Sequence, residues 1–323
     1  METPSLSVIL PNYNHSAYLP RALDALLAQT LQPMEIIVID DCSTDESWDI
    51  IQDYARRHPV IRPQRNEKNQ GVIATVNRGI ELSRGEYLFF APADDESRPT
   101  LFEKSFAILS QHPQAPLCCT VSEFREVATG MHWHVGVGMA DRPCFLPPER
   151  LVELERQGRL HIAPNTSVIR KAALVRAGCF LPELKWHSDW FGFYVAALRD
   201  GTCFVPEPLA VFYVHPTSYY KTGSQQALVH REVLRRLMER LNAPEWADVV
   251  ESVRSSGALY IFGWPLFKIL CATPAWRRFL TPLFVRKNLW HAFKLAVKRW
   301  LPAWLANLYF RMAGYRASVV HRI

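Results

Sequence analysis

Two pairs of adjacent aspartates, Asp40-Asp41 and Asp94-Asp95, are the residues of this sequence best suited to chemistry. Side-by-side carboxylates repel one another, and a hard divalent cation with oxygen ligands relieves that repulsion. Mg²⁺ is typically held by one or two protein carboxylates together with substrate phosphates, so a nucleoside diphosphate is the natural companion of such a site. Helix capping is the alternative for both pairs, because a predicted helix follows each of them.

The elements around these aspartates follow a repeating pattern of short apolar runs and amphipathic segments. Strands are predicted at 6–10, 35–39, 60–62 and 87–90, and helices at 16–29, 44–57 and 71–83. This alternation indicates βαβ units and a parallel sheet covered on both faces. Such sheets bind ligands at the carboxyl ends of their strands, and polar residues cluster at those ends here, at 11–14, 40–45 and 93–96.

Composition and motif searches exclude several classes of protein. Hydrophobic residues make up 49% of the 323 residues and charged residues 21%, which excludes disordered and fibrous chains. No GxGxxG follows the first strand and no GxxxxGK occurs, so neither a dinucleotide fingerprint nor a P-loop is present. The seven cysteines form no CxxC pair, which favours a reduced compartment over a zinc site. The first residues lack the pattern of a signal peptide, so we expect a cytoplasmic protein.

Charge is distributed very unevenly along the chain. Residues 252–323 contain 12 Lys/Arg and no Asp or Glu, which leaves 25 basic and 31 acidic residues in 1–251. Five of the ten tryptophans also lie in this basic tail. Such asymmetry indicates an anionic partner, either a nucleic acid or a layer of lipid headgroups.

Taken together, these segments resemble the family 2 glycosyltransferases, the inverting GT-A enzymes that use nucleotide sugars. The matching segments are SVILPNYNHSAYLPRALDALLAQT, EIIVIDDCSTD, NQGVIATVNRGI, GEYLFFAPADDESRP, HSDWFGFYVAALRDG and VPEPLAVFYVHPTS. They cover roughly residues 5 to 220, and their shared order is more specific than any single motif. The resemblance implies an α/β chain of GT-A fold, with a Rossmann-like, mostly parallel central sheet flanked by helices. The C-terminal extension lies beyond the resemblance, and its own residues predict that it is helical and membrane-associating.

The resemblance also implies a nucleotide-binding set. Pro11, Asn12 and Tyr13 match the loop that lines the base pocket, and Asp41 matches the carboxylate that hydrogen-bonds the nucleobase or ribose. The same set includes Asn69, and Asp94, which is expected to contact the ribose or to contact the metal indirectly. The chain departs from the family at Val76, where an arginine is often found.

A Mn²⁺ or Mg²⁺ ion is the implied cofactor. Asp95 matches the principal metal ligand, and His215 matches a late histidine that some relatives place at the metal or the diphosphate; an ordinary loop histidine is the alternative. The usual metal motif begins with an aspartate where this chain has Pro92. His132-Trp133-His134 resembles a pair of metal ligands, but an aromatic sugar platform or a surface loop is the favoured interpretation.

Asp189 matches the catalytic base of the family, with a cap for the helix at 190–198 as the alternative. In that role it takes the proton of the acceptor hydroxyl as the hydroxyl attacks the anomeric carbon, while the metal stabilises the departing diphosphate on the other face. A single displacement of this kind inverts the anomeric centre.

Two regions are predicted. Residues 1–224 form the GT-A catalytic domain, with a nucleotide-sugar half at about 1–115 and an acceptor half at about 116–224. Residues 225–323 form a helical, basic, tryptophan-rich extension, whose apolar run at 257–267 is too short to span a membrane.

A helix at 287–300 would place Trp290, Phe293 and Trp300 on an apolar arc beside a basic strip that includes Lys287 and Lys294. A further helix is expected from Pro302, with Trp304. This arrangement favours an interfacial helix on an anionic membrane over nucleic-acid binding. Packing of the apolar arc on the catalytic domain, or on a second subunit in a homodimer, is the alternative.

The predicted function is that of a metal-dependent inverting glycosyltransferase on the inner face of the cytoplasmic membrane. The expected donor is a nucleoside diphosphate sugar, with UDP favoured, and the expected acceptor is a glycan or lipid-linked saccharide in surface polysaccharide or glycolipid assembly. A non-catalytic scaffold of the same fold is the alternative, but it would have no reason to retain Asp41, Asp95 and Asp189 together. A nucleotidyltransferase is disfavoured because no glycine-rich basic loop lies near the N-terminus.

Overall fold

The computed structural model describes residues 5–128, 130–215 and 226–300, and over 294–300 it describes the backbone only. The strands are β1 Leu6–Asn12, β2 Glu35–Asp40, β3 Ile61–Arg65, β4 Tyr87–Phe90, β5 Glu96–Ser97, β6 Leu117–Glu126, β7 His132–Val135, β8 Cys144–Leu146, β9 Ser167–Arg170 and β10 Thr202–Val214. The helices are α1 Leu19–Leu27, α2 Ser47–Arg57, α3 Val72–Leu82, α4 Leu101–Leu109, α5 Pro148–Arg156, α6 Lys171–Arg176, α7 Ser188–Asp200, α8 Ala227–Leu241, α9 Ala247–Ser256, α10 Gly263–Ala272 and α11 Pro282–Trp300. The predicted elements therefore occur in the predicted order, with ends shifted by a few residues.

One sheet organises the first two thirds of the chain, in the order β3-β2-β1-β4-β9-β6-β10-β5. The strands β1 to β4 are parallel, whereas β9 runs antiparallel to both of its neighbours, β4 and β6. Because β6 and β10 are parallel to each other, the carboxyl ends of β1, β2, β4, β6 and β10 all lie at the same edge. This edge is where the sequence predicts the site.

Both faces of the parallel strands are buried, as continuous apolar runs require. Val8 and Leu10 pack on one face with Leu19 and Leu23 of α1, while Ile9 points to the other face. On that face Gly79 lets α3 lie close to β1, because a Cβ there would sit 2.4 Å from Ile9 Cγ2. The sheet is thus held between helical layers.

The helices after residue 226 share a hydrophobic core with the acceptor half. Trp246 packs edge-on against Phe191 of α7, with ring centroids 5.3 Å apart, and Leu266 and Phe284 belong to the same buried cluster. The predicted boundary near residue 224 therefore does not separate two cores within the described residues.

The predicted amphipathic helix at 287–300 is the second part of α11, which begins at Pro282. The placement of Lys287 on an exposed basic strip is wrong. Its Nζ lies 3.2 Å from Glu155 Oε1 and also donates to the carbonyl oxygens of Glu155 and Ser256, so this lysine faces inward. The predicted helix from Pro302, with Trp304, and the side chains of Lys294 and Trp300 lie outside what the structure describes.

No single helix within the described residues is long and apolar enough to cross a membrane. One pair of helical segments, Pro244–Ser256 and Ala258–Ala272, meets the length and composition requirement only jointly and is bent by 73°.

Candidate functional site

The loops after β1 and β2 are joined by buried polar side chains. Asn12 Nδ2 donates to Asp40 Oδ1 at 3.1 Å and to Ser43 Oγ at 3.2 Å. Asp40 also pairs with Arg65 Nε at 3.1 Å. Asn12 is thus a bridge between two strand ends, with only its Oδ1 left without a partner in the described structure.

Asp41 fastens the start of α3. Its carboxylate accepts hydrogen bonds from Asn66 Nδ2 at 2.7 Å and from the backbone N–H groups of Gln70 and Gly71 at 2.9 and 2.8 Å. A carboxylate at a helix N-terminus is favoured by the helix dipole. The capping alternative for Asp41 is therefore wrong, because α2 has Glu46 as its cap residue and Asp41 instead binds the segment that leads into α3. Its contact with a nucleotide stays a prediction.

The other nucleotide residues flank this loop. Asn69 is exposed, and its Oδ1 accepts a hydrogen bond from the Gly71 N–H at 3.0 Å. Tyr13 is exposed beside the half-buried Pro11. Asn14 follows in the left-handed region at φ 55°, which is uncommon for a residue other than glycine and recurs at functional sites. These residues form a rim around Asn12, and their roles toward a nucleotide stay predictions.

Both carboxylate oxygens of Asp95 accept hydrogen bonds from other parts of the protein. Oδ1 accepts from the Tyr213 N–H at 3.0 Å, and Oδ2 accepts from Asn165 Nδ2 at 2.9 Å. Asp95 is 5% exposed, and burial together with the charge of Asp94 raises its pKa well above the usual range. This carboxylate joins the loop after β4 to β10 and to the turn that precedes β9.

Asp94 is the more open carboxylate of the pair. Its side chain is 27% exposed, and Oδ2 lies 3.9 Å from His215 Nε2. That nitrogen is buried and has no hydrogen-bond partner in the described part of the chain. The backbone carbonyl of Asp94 accepts a hydrogen bond from Arg21 Nη2 at 2.6 Å, which fixes the turn. Neither aspartate caps the following helix, since Thr100 occupies that position.

The Asp94–His215 pair is the more open of the two candidate positions for a divalent cation, and the role of Asp95 as principal metal ligand stays a prediction. The pair offers one oxygen and one nitrogen donor, and the nitrogen lacks a protein partner among the described residues. No group of three or more His, Cys, Asp or Glu residues is assembled for a metal in these residues. A two-ligand set is consistent with an ion that also binds substrate phosphates.

Asp189 lies in the first turn of α7, one residue after Ser188, where the helix begins. Its Oδ1 accepts from the Trp190 N–H at 2.7 Å, and burial raises its pKa to about 6. Asp189 and Phe193 share a helix face because they are four residues apart. The Phe193 ring lies 6.1 Å from that of Phe90 at the end of β4, so α7 packs against the strand that precedes Asp94 and Asp95.

Three contributors to the site carried no sequence signal. Asn165 is 70 residues from Asp95 along the chain, Tyr213 contributes a backbone N–H, and Arg21 acts on a carbonyl. Arg21 and Tyr213 lie in segments that match the family and Asn165 does not, but nothing in the sequence marks any of the three as a partner of these aspartates, and only the fold brings them together.

The segment His132-Trp133-His134 forms β7, paired with the end of β6. Trp133 stacks on Phe124, with ring centroids 5.5 Å apart and an interplanar angle of 11°. The aromatic interpretation of this segment agrees with that stack.

Comparison with known proteins identifies the family. Residues 7–176, more than half of the chain, match the sequence model of glycosyl transferase family 2. An uncharacterized glycosyltransferase of Haemophilus influenzae is 39% identical over 231 residues, which are 69% of this chain and 74% of that protein. The chain belongs to glycosyl transferase family 2.

Other relatives agree with this assignment. EpsH of Bacillus subtilis is 28% identical over 225 residues, which are 68% of this chain but 63% of EpsH. The crystal structure of S. aureus TarS 1–349 in complex with UDP-GlcNAc has a TM-score of 0.59 at 21% identity, over 80% of this chain and 71% of that one. The predicted family, enzyme class and α/β fold are confirmed. Asp189 and His215 lie beyond residues 7–176, the part of the chain that the family model matches, and their roles stay predictions.

Proposed function

We propose that this chain transfers a glycosyl unit from a nucleoside diphosphate sugar, with UDP as the favoured nucleotide, to a hydroxyl group of a glycan or lipid-linked saccharide. The observation that carries the proposal is the Asp94–His215 pair at the carboxyl edge of the sheet, and the raised pKa of Asp189, about 6, suits the second role, that of a base. The complexes of TarS with UDP and with UDP-GlcNAc support a UDP-linked donor, because the two proteins share the fold.

The geometry supports a single displacement. At neutral pH Asp189 is largely ionised, since its pKa of about 6 is below 7, and it takes the proton of the acceptor hydroxyl as the oxygen attacks the anomeric carbon. The bond from the anomeric carbon to the diphosphate oxygen breaks on the opposite face, so the configuration inverts. Asp94 and His215 would hold a Mn²⁺ or Mg²⁺ ion, which neutralises charge on the leaving diphosphate.

Transfer is tested by incubating the full chain with a panel of nucleotide sugars and following donor hydrolysis with Mn²⁺, with Mg²⁺ and with chelator. We expect hydrolysis of at least one donor, dependent on the metal and lost in Asp189→Asn. Donor binding without turnover of any donor or acceptor saccharide would instead support the non-catalytic scaffold. Equal activity with and without chelator would contradict the proposed dependence of the reaction on a metal ion.

Attachment to an anionic membrane is the second part of the proposal, and it places the acceptor in surface polysaccharide or glycolipid assembly at the inner face of the cytoplasmic membrane. Large apolar side chains are exposed on the C-terminal helices, including Trp264 at 42% and Leu289 at 54%. The 12 basic residues after 251, with no acidic residue among them, complement anionic headgroups. Among the described side chains after residue 251, the exposed large apolar ones are Ile261, Trp264, Leu289, Trp290 and Phe293.

Vesicle sedimentation tests this attachment with point variants, because truncation near residue 250 would remove buried core residues such as Leu266. We expect binding to vesicles that contain anionic lipid, only partly released by high salt, since apolar insertion is not screened. Trp264→Ser with Leu289→Ser should weaken binding, whereas Val175→Ser, at a 51% exposed position on α6, should not. Unchanged binding in the double variant, or a concentration-dependent dimer without lipid binding, would overturn the membrane assignment.

A further inference from the structure

One phenylalanine of the C-terminal helices contacts the residues on both sides of Asp189. The ring of Phe262 lies 4.8 Å from the ring of His187 at 80°, and 5.0 Å from the ring of Trp190 at 83°. Phe262 is 5% exposed, so these edge-to-face contacts are shielded from water. Aromatic pairs of this geometry contribute about 0.5–1.5 kcal/mol each beyond their buried area.

The two contacted residues set the position of the carboxylate. His187 is the cap residue at the start of α7, and Trp190 donates its backbone N–H to Asp189 Oδ1 at 2.7 Å. The turn that leads into the helix contains Lys185 at φ 46°, a conformation that costs a side chain of this kind free energy. Local geometry alone therefore does not hold this helix start, and packing from elsewhere must contribute.

Phe262 is itself held firmly by the rest of the extension. It ends the 3₁₀ turn Ala258–Phe262, between Gly257 at φ 69° and Gly263 at φ 59°. Lys287 donates to the carbonyl of Ser256, the last residue of α9 and two residues before this turn, at 3.2 Å. The nitrogen of Lys287 also lies 4.6 Å from the ring centroid of Tyr260, within the turn. These contacts hold the turn, and with it Phe262, in place against the rest of the extension.

We propose that Phe262 is a positioning residue for Asp189, so that the C-terminal extension completes the catalytic site. The inference rests on the proposed role of Asp189 as base. The ring of Phe262 packs against both His187 and Trp190, and these two contacts restrict the rotation of the first turn of α7. That turn bears the Asp189 carboxylate, which takes the proton of the acceptor hydroxyl in the proposed mechanism. A base misplaced by about 1 Å loses on the order of 10²-fold in rate while the donor site is untouched.

Kinetics of Phe262→Ala, Phe262→Leu and Phe279→Ala in the full chain test this role. Phe279 is an equally buried phenylalanine of the extension, at 1% exposure, and it serves as the matched control for lost core packing. We expect Phe262→Ala to lower kcat about 10- to 100-fold with donor KM and UDP affinity within about twofold of wild type. Phe262→Leu, which keeps much of the volume, should recover most of kcat. Phe279→Ala should lower the melting temperature with little change in kcat below it.

The outcomes separate the two levels of the argument. No transfer by the wild-type chain, or full activity of Asp189→Asn, would overturn the proposed function itself. Transfer that depends on Asp189 but is unchanged in folded Phe262→Ala would overturn the positioning role alone. Phe279→Ala should be compared with a Phe262 variant of similar melting temperature. An equal loss of kcat in the two variants would also overturn the positioning role, because the loss would then come from general destabilisation. If Phe262→Ala does not fold, Trp190→Leu takes its place, because it removes the second ring of one of the two contacts and keeps the backbone N–H that binds Asp189. An unchanged kcat in folded Trp190→Leu would then overturn the positioning role.

Discussion

The two carboxylate regions of the site are positioned by different kinds of interaction. At the edge of the parallel strands, both oxygens of Asp95 accept hydrogen bonds from β10 and from the turn before β9, and the Asp94 carbonyl is held by Arg21. At the start of α7, Asp189 has one local backbone hydrogen bond, and its surroundings are mainly aromatic rings.

This difference matches the chemistry required on each side. Hydrogen-bond donors keep a group of charges in place, which suits a site for a cation and a diphosphate. Apolar packing removes water from a carboxylate and raises its pKa, which makes the carboxylate a better proton acceptor near neutral pH. A single fold therefore provides a charged half and a desolvated half at one edge of its sheet.

The largest expected effect comes from Asp189→Asn, which removes the base but keeps the shape. We expect transfer to fall about 10²- to 10⁴-fold, the usual contribution of a general base, with donor binding preserved. If another residue were the base, turnover would stay near wild type, and His187 would be examined first.

The same substitution should stabilise the protein at high pH only. The folded pKa of Asp189 is about 6 and its ordinary value is 3.8, so the stability that the protonated form contributes is fully present below pH 4 and is lost as the pH rises through 6. Because an asparagine never ionises, the variant should exceed wild type by roughly 1–3 kcal/mol at pH 8 and by little at pH 4. Denaturant unfolding at the two pH values measures this, and a gain of equal size at both would contradict the desolvated environment.

The next effect tests the charged half. Asp94→Ala should weaken metal-dependent binding of UDP by about 100-fold, because it removes the open oxygen ligand, with little change in unfolding free energy. Calorimetry with UDP, with and without Mn²⁺, gives the metal-dependent part. The control is Glu81→Ala, an exposed acidic residue on α3, which should leave both quantities unchanged. Metal dependence that survives in Asp94→Ala would return the ligand role to Asp95.

A smaller effect is expected from the buried ion pair of Glu155 and Lys287. Lys287 holds the turn that carries Phe262, on the Asp189 side of the site. Burial raises the pKa of Glu155 to about 7, with the charge of Lys287 opposing the shift, and burial lowers the pKa of Lys287. Lys287→Met should destabilise the protein by about 3 kcal/mol at pH 8, because a buried carboxylate is left unpaired.

The pH dependence of this loss distinguishes pairing from simple packing. Without Lys287, whose charge opposes the shift, the pKa of Glu155 should lie higher than in wild type. The protonated form then contributes stability that is present below the ordinary pKa of 4.5 and is lost as the pH rises through that higher value, so the deficit against wild type should shrink as the pH falls from 8 toward 5. Glu155→Gln combined with Lys287→Met should recover part of the loss and show a flatter pH profile. A deficit independent of pH would mean that Lys287 acts through its methylene groups alone.

The sequence predicted the parts of the site that depend on local pattern. The alternation of strands and helices, with polar residues after Leu10, Ile39 and Phe90, was sufficient to bring Asn12, Asp41 and Asp94 to one edge, because the carboxyl ends of parallel strands coincide. The relative roles of Asp94 and Asp95 could not be read in this way, because they depend on partners 70 and 118 positions away in the chain. The inward face of Lys287 was missed for the same reason, since Glu155 is 132 residues distant and a helical projection does not show which side is covered.

The smallest expected effect concerns Asn165, which distinguishes a hydrogen-bonded lock from a ligand. Asn165→Ala leaves Asp95 Oδ2 buried without its donor at 2.9 Å, and a buried acceptor without a partner costs about 1–3 kcal/mol. We therefore expect a lower unfolding free energy with metal affinity reduced far less than in Asp94→Ala. Gln52→Ala serves as the control, because its side chain is exposed on α2, lies outside the nucleotide-binding set and should cost little stability. If Asn165→Ala abolished metal-dependent UDP binding without lowering stability, Asp95 would itself be a metal ligand. The contrast between Asp95, held by hydrogen bonds on both oxygens, and the partly exposed Asp94 would then not hold.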